Sequence, residues 1–526
     1  MINKRLSLQL LRQPALVSAN IRGAIQRLRL AELTSLAGVL TLGLVLRTLP
    51  WTRPNYLTGV LEYDDGVYYA AALGLIHAQV PYADFVFLHP PGIIFLMAPL
   101  ALLGQVSSQP LAMAAARVTM VVVGLATIVL IWRLTRGTTQ ARIAAAVAYA
   151  VAPAVLLAER TVLLEPLLNL CCVLALGVLF QAELPGRRAV RSAGLIVGLA
   201  AAIKLFAVVY PVAIGLWLLS RRQPRLALLH VVTAAASFTL VLFPFLLLAP
   251  TATVRDVLLT QLRRPESGIP IGSARASDLL QLAPAAGHQV PSLVLLSAAL
   301  AAAALMLARL TDLRTRLLSM VLLLTTAGFL LAPSYYSHYA AFLLPPAALL
   351  VGKLATASQA STSKAGRVAG RIAVACILLI LALGGVRTTA QTSGRGDVRA
   401  AAARLPHRPQ CVFTDSASLA ISANLLRAPS IRCPGWVDGR GYALALSISG
   451  PLEKELYNGG FRRLEQWQLE IRRQLEQADA ILVRGSPATL EEWSDTTRQY
   501  ATDHFRPVAR SSGGPPWELW TRVDRP

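Results

Sequence analysis

Acidic side chains are scarce in this chain: 27 Asp and Glu stand against 50 Lys and Arg, for a net charge of +23. Gathered on one face, such an excess would point to nucleic acid. Here the cations instead fall in short clusters between apolar runs, as topology signals do in a membrane protein. Nucleotide-binding loops are also missing, since the chain has no Walker-type Gly-Lys-Ser/Thr loop and no GxGxxG unit. Cytosolic nucleotide use is therefore not indicated. Cysteine is rare, five in all, and no CxxC pair has zinc spacing. No small-residue cleavage site precedes the first apolar run, which argues against a cleaved signal peptide.

What the chain has in quantity is apolar length. Of its residues 55% are hydrophobic, and several runs of ~17–25 residues suit a hydrocarbon core of ~30 Å. The basic clusters are a leader (Lys4, Arg5, Arg12, Arg22, Arg27, Arg29), then Arg133/Arg136/Arg142, Arg187/Arg188/Arg191, Arg221/Arg222/Arg225, Arg309/Arg314/Arg316 and Lys353/Lys364/Arg367/Arg371. All belong on the cytoplasmic side. About twelve apolar segments can be counted, and strict alternation through them would strand the Arg133 cluster outside. The segment 92–103, flanked by Pro90, Pro91 and Pro110 and containing Pro99, is therefore read as a re-entrant or interfacial helix. About eleven spans remain, near 33–49, 111–132, 143–158, 163–181, 192–203, 205–220, 226–249, 291–308, 317–332, 339–355 and 371–387. This arrangement puts the N-terminus inside. It gives one outer face to 50–110, the turns at 159–166, 202–205 and 333–339, the loop 250–290, and everything beyond about 388.

The expected fold is thus a polytopic α-helical membrane protein with three parts. These are a cytoplasmic leader at 1–32, a transmembrane module at 33–387, and a small extracytoplasmic α/β domain at 388–526. In the last part, β-like runs at 411–413, 480–483 and 517–523 alternate with helical stretches, notably 452–477. Cys411 and Cys433 both fall there, on the oxidising side, and spacing alone leaves their pairing open. Cys171, Cys172 and Cys376 read as packing residues of the spans. Trp436, Trp467, Trp493, Trp517 and Trp520 offer sugar-stacking rings but read first as core.

Against this apolar background the acidic first loop stands out: EYDDGVYYAAALGLIHAQVPYADFVFLHPPG, residues 62–92. Carboxylates beside a membrane are costly and mark function. Asp64 and Asp65 lead into 67–77, read as an interfacial amphipathic helix, and Asp84 and His89 follow. The other outer turns carry Glu159, Arg160 and Glu165, then Lys204, then Tyr335, Tyr336, Ser337, His338 and Tyr339. If the spans bundle, these groups line one cavity. Carboxylates there accept a proton or bind a metal, cations hold a phosphate, and aromatic rings stack on a sugar or lipid. Each also has a plainer reading. Asp64 suits a helix start, PYAD a turn, Glu165-Pro166 a first helical turn, Lys204 an interfacial snorkel, and the tyrosines an aromatic belt.

Together and in order, these motifs resemble the GT-C class of membrane glycosyltransferases. The likeness is greatest to the protein O-mannosyltransferase and lipid A aminoarabinose transferase branch, and it covers about residues 33–350. It rests on Asp64-Asp65, on Pro81-Tyr82 to Asp84 with His89-Pro90-Pro91, on Glu165, on Lys204 in GLAAAIK, and on YYSHYAAFLLPP. Asp65 stands where that branch usually has Glu, Glu165 where it usually has Asp, and Leu88-His89 where some members carry Glu and Lys.

The resemblance implies an inverting transfer of a hexose or pentose from a polyprenyl phosphate donor to an envelope glycolipid, polysaccharide or protein. It casts Asp64 as base, with Asp65 beside it. It casts Lys204, Arg160, His89, Glu165, Tyr335, Tyr336 and His338 as the groups around phosphate and sugar. It implies a multi-pass plasma-membrane enzyme with membrane lipids, a lipid-linked donor and a glycan, lipid or protein acceptor as partners, and no nucleic acid. A divalent metal ion stays open as cofactor, since two adjacent Asp do not define a coordination sphere. A flippase would show repeats and midplane charges, and none is visible. A scaffold would leave the first-loop acids without a purpose.

Overall fold

The computed structural model describes residues 13–181, 185–282, 312–391, 398–430, 432–449, 462, 464–511 and 516–524. The span expected at 291–308, residues 1–12 of the leader and the segment 452–461 lie outside the described residues.

Helices dominate the first three quarters of the chain. Among the described residues, six are long and apolar enough to cross a membrane: Leu30–Thr52, Gln109–Leu134, Pro224–Leu248, Leu313–Leu331, Ser337–Ala360 and Lys364–Ala390. A seventh is the broken pair Thr139–Val151 and Pro153–Glu159, bent by 57°. Apolar helices of lesser length run over Gly92–Val106, Glu165–Leu179 and Leu205–Ser220.

Proline sets many of the boundaries. Pro110, Pro153, Pro166 and Pro224 stand in the first turns of their helices, where a missing N–H costs nothing. At the break, Ala152 takes an extended conformation (φ −62°, ψ 128°) before Pro153. The Ala154 N–H, left without a helical partner, donates to Gln281 Oε1 at 2.9 Å. Helix pairs close on small residues. A Cβ on Gly194 or Gly198 would stand 2.0 Å from the hydroxyl of Thr233 or Ser237 across the interface with Pro224–Leu248, the close approach that small residues one turn apart permit.

The bend delivers Glu159 to the interior. Arg47 Nε lies 2.5 Å from Glu159 Oε2, with both side chains buried. Tyr149 Oη donates to Glu159 Oε1 at 3.0 Å, and Asn169 Nδ2 bridges Tyr149 Oη (3.2 Å) to the Ala341 carbonyl (3.0 Å). One polar chain thus ties five segments together, and a buried charge of this kind persists only when paired in this way.

Two expectations for the first loop change. The helix there runs Asp64–Ile76 and is buried from Asp65 through Gly74, so it is a core helix and not an amphipathic one lying at an interface. Every side of it is covered, by Gly92–Val106 and by the C-terminal region, so no polar face is needed. The segment expected at 92–103 extends to Val106.

Beyond residue 397 the chain forms a four-stranded sheet: β1 Val412–Thr414, β2 Ala480–Arg484, β3 Phe505–Arg510 and β4 Trp517–Arg522. Its order is β1-β2-β4-β3, with β1 and β2 parallel and the other pairs antiparallel. Alternation splits the strands between two cores. Phe413, Ile481, Val483 and Trp520 pack with Trp467, Ile471, Leu475 and Trp493. Leu482, Trp517 and Leu519 pack on the other side with Val398, Leu419 and, from the first loop, Val60. Cys411 and Cys433 form a disulfide, with Cα atoms 5.1 Å apart.

Candidate active site

The two adjacent aspartates have different surroundings. Asp65 is fully buried, and both its oxygens are taken. Arg117 Nη2 (2.7 Å) and Thr161 Oγ1 (2.6 Å) donate to Oδ2, and Ser418 Oγ donates to Oδ1 at 2.7 Å. Arg117 also donates to the carbonyls of Leu57 at 2.6 Å and Gly59 at 2.8 Å. Such a charge-assisted, saturated cluster holds the first loop on Gln109–Leu134. Asp64, one residue earlier and half-buried, makes no hydrogen bond or ion pair among the described residues. Its charge reaches Lys204, His338 and Asp438.

Lys204 is buried (6% exposed) in the turn before Leu205–Ser220. Its Nζ lies 2.5 Å from Glu165 Oε1 and sits over the rings of Tyr339 (4.0 Å) and Phe206 (4.5 Å). Burial pushes the ammonium below the usual lysine range, and Glu165 works against that shift. His338 Nε2 stands 4.0 Å from the same Glu165 oxygen. Glu165 Oε2 is buried without a hydrogen-bond partner among the described residues. Arg160 pairs with Glu62 at 2.6 Å. Its charge and that of Lys204 are both felt at His338.

His89 meets this cluster from the far side of the first loop, edge-on to Tyr68 at 5.6 Å and Phe87 at 5.8 Å. Burial, helped by the charges of Lys204 and Arg264, holds its imidazole well below the usual histidine range. At neutral pH it is a neutral ring with one donor and one acceptor nitrogen. The loop is fixed by Tyr82, whose hydroxyl donates to the His89 carbonyl at 2.7 Å. Asp84 Oδ2 accepts from the Val80 N–H at 2.7 Å, a turn contact.

The structure therefore brings Asp64, Lys204, Glu165, His338, His89 and Arg160 to one neighbourhood. Tyr335 is held apart. It lies in a short strand pair, Ser267–Gly268 with Ser334–Tyr335. Its hydroxyl donates to Asp278 Oδ2 at 2.7 Å, and Arg275 covers its ring at 5.2 Å. Tyr336 is parallel to His338, with centroids 6.0 Å apart. Tyr339, named with its turn but not cast in a role, also belongs to the neighbourhood, as do Arg264 and Asp438, which the sequence did not single out. Tyr339 shares the YYSHY run, and Arg264 follows Arg263. Nothing local distinguishes Asp438. Among the described residues no three His, Cys, Asp or Glu side chains are grouped so as to hold a metal ion.

The family model for Glycosyltransferase family 87 matches residues 87–334. In fold, the chain is similar to ArnT from Cupriavidus metallidurans bound to undecaprenyl phosphate. The TM-score is 0.59 at 13% identity, covering 93% of this chain and 98% of that one. The chain is a membrane glycosyltransferase of the GT-C fold. The enzyme is also similar to the Archaeoglobus fulgidus oligosaccharyltransferase AglB in complex with an inhibitory peptide and a dolichol-phosphate. That match has a TM-score of 0.53 at 12% identity, over 94% of this chain and 75% of that one. A third likeness is to the arabinofuranosyltransferase AftD from Mycobacteria, with a TM-score of 0.53 at 16% identity, over 93% of this chain and 40% of that one. No curated protein matches in sequence. The family match takes in His89, Arg160, Glu165 and Lys204 of this glycosyltransferase; Asp64 and Asp65 precede it, and Tyr335, Tyr336 and His338 follow it.

Proposed function

We propose that this glycosyltransferase moves a hexose or pentose, with inversion, from a polyprenyl phosphate to a hydroxyl of a cell-envelope glycolipid, polysaccharide or protein. The observation that carries the reading is the unengaged Asp64 carboxylate beside the buried Lys204–Glu165 pair. A site for this reaction needs a base at one end and fixed positive charge at the other. The acceptor oxygen attacks the anomeric carbon as its proton passes to Asp64. The bond from that carbon to the phosphate oxygen breaks, and the electron pair leaves with the polyprenyl phosphate. Lys204 and Arg264 meet the growing phosphate charge, and His89, His338 and Tyr336 donate hydrogen bonds. Arg160 supplies further positive potential from its pair with Glu62, and Glu165 fixes Lys204 in place. Asp65 shapes the loop that presents Asp64, and Tyr335 anchors the strand leading to His338.

The reading includes about eleven spans, a cytoplasmic N-terminus, and an extracytoplasmic C-terminal domain. The lipid phosphates bound to ArnT and AglB favour a lipid-linked donor. The test is transfer of radiolabelled sugar from a panel of polyprenyl phosphate donors to envelope extract by the reconstituted enzyme, with and without a chelator. Transfer by wild type that Asp64→Asn abolishes supports the reading, and chelator sensitivity decides whether a divalent ion takes part. Equal transfer by Asp64→Asn rules out the base.

A further inference from the structure

Asp438, which no motif marks, lies where the C-terminal region meets the first loop. It is 8% exposed. Its Oδ1 accepts from Tyr63 Oη at 3.0 Å and from the Gly441 N–H at 2.8 Å. Tyr63 immediately precedes Asp64, so this contact fixes Asp438 against the loop that presents the base. Oδ2 takes no hydrogen bond among the described residues. The Tyr63 ring is itself flanked by two guanidinium groups of the C-terminal region, Arg440 at 4.9 Å and Arg484 at 5.5 Å. Arg484 is held in turn by Asp415 at 3.1 Å.

The backbone around Asp438 leaves little slack. A Cβ on Gly441 would stand 2.4 Å from Asp438 Oδ2 and 3.1 Å from Leu88 Cγ. Residue 441 is thus kept bare between the carboxylate and the loop that carries His89. Leu444, one turn on, packs with Leu88. Asp438 is therefore aimed from two directions, by a phenol on one side and a glycine on the other. The charges of Asp64 and Arg264 are both felt at Asp438.

Resting on the glycosyl-transfer reading, we infer that Asp438 is a positioning residue of the acceptor subsite. It accepts a hydrogen bond from a hydroxyl neighbouring the one that Asp64 deprotonates, so that the subsite takes a sugar acceptor. With Asp438 bonded to the residue that precedes Asp64, the two carboxylates suit a pair of adjacent hydroxyls, each donating to one of them. A lone hydroxyl on a peptide side chain would leave Asp438 Oδ2 without a donor, at a cost that discriminates against it. The C-terminal region is thereby part of the substrate site.

The experiment uses the full-length enzyme in liposomes, with octyl mannoside, octyl glucoside and octyl arabinofuranoside as acceptors, each also in its monodeoxy forms. Asp438→Asn, which keeps the shape, and Tyr63→Phe, which removes the aiming hydroxyl, are compared with wild type. The inference expects one deoxy position that raises the acceptor KM of wild type by about tenfold or more but hardly affects Asp438→Asn. It also expects each variant to raise acceptor KM while donor KM stays within about twofold. Three results overturn it: wild-type acceptor KM and deoxy discrimination in Asp438→Asn, donor and acceptor KM rising together, or transfer to envelope extract with none to any octyl glycoside. Failure of wild type with every donor and acceptor would instead overturn glycosyl transfer, and this inference with it.

Discussion

Asp64 and Asp65 are the same residue type in opposite surroundings, and the difference lies in what their oxygens touch. Asp65 has spent its acceptor capacity on Arg117, Thr161 and Ser418, whereas Asp64 has kept its own. Removing the Asp65 charge leaves the buried Arg117 without its counter-ion, which costs about 3–5 kcal/mol. Asp65→Ala should lower the denaturation midpoint in detergent accordingly. His89 gives a prediction in pH. Its folded pKa lies well below the ordinary value, so between that value and about 6.5 the unfolded chain binds a proton that the folded chain refuses. Stability is therefore full above pH ~6.5 and falls as pH drops below it. Denaturation midpoints measured between pH ~7.5 and ~5 should show this slope, and His89→Gln should flatten it.

Among the elements, the helix Asp64–Ile76 is the one on which the site depends, and its packing is tightest at Gly66. A Cβ there would stand 2.2 Å from the Ser418 backbone nitrogen, an atom with no flexible end to move aside. Gly66→Ala should push the helix Ala417–Ser422 off the first loop. Hydrogen exchange should then show faster labelling in both segments, while Pro224–Leu248 is unchanged. Much of the local structure was legible in the sequence. Pro166 marked a helix start, and the β-like runs at 411–413, 480–483 and 517–523 fall on strands. Lys204 and Glu165, which the structure pairs, were legible as residues of neighbouring turns. The partners of Asp65 and Tyr63 were not. Ser418 is 353 positions from Asp65, and Asp438 is 375 from Tyr63, distances over which no periodicity or spacing carries a signal. The burial of Asp64–Ile76 was hidden in part for the same reason, because one of the helices that cover it, Ala417–Ser422, comes from the far end of the chain.

At the scale of the molecule, the C-terminal region clamps the first loop and the start of Gln109–Leu134 through several contacts. Asn424 Oδ1 accepts from the Gln109 N–H at 3.0 Å, and Gln109 Nε2 donates to the Leu426 carbonyl at 2.7 Å. Gln79 donates to the Pro429 carbonyl, and Val60 sits in the C-terminal core. The Cys411–Cys433 disulfide closes the segment that carries most of these contacts, with a sequence separation of 22. A loop of that size contributes about 3 kcal/mol. Cys411→Ser with Cys433→Ser should accordingly lower the melting transition and expose 417–433 to limited proteolysis. The division of labour between the paired aspartates is tested by taking both variants through two readouts. Sugar transfer and detergent denaturation midpoint are measured for Asp64→Asn and Asp65→Asn side by side. The account predicts that Asp64→Asn keeps the wild-type midpoint and loses transfer by at least about a hundredfold, while Asp65→Asn loses stability first. Full transfer by Asp64→Asn, or an unchanged midpoint in Asp65→Asn, would contradict it.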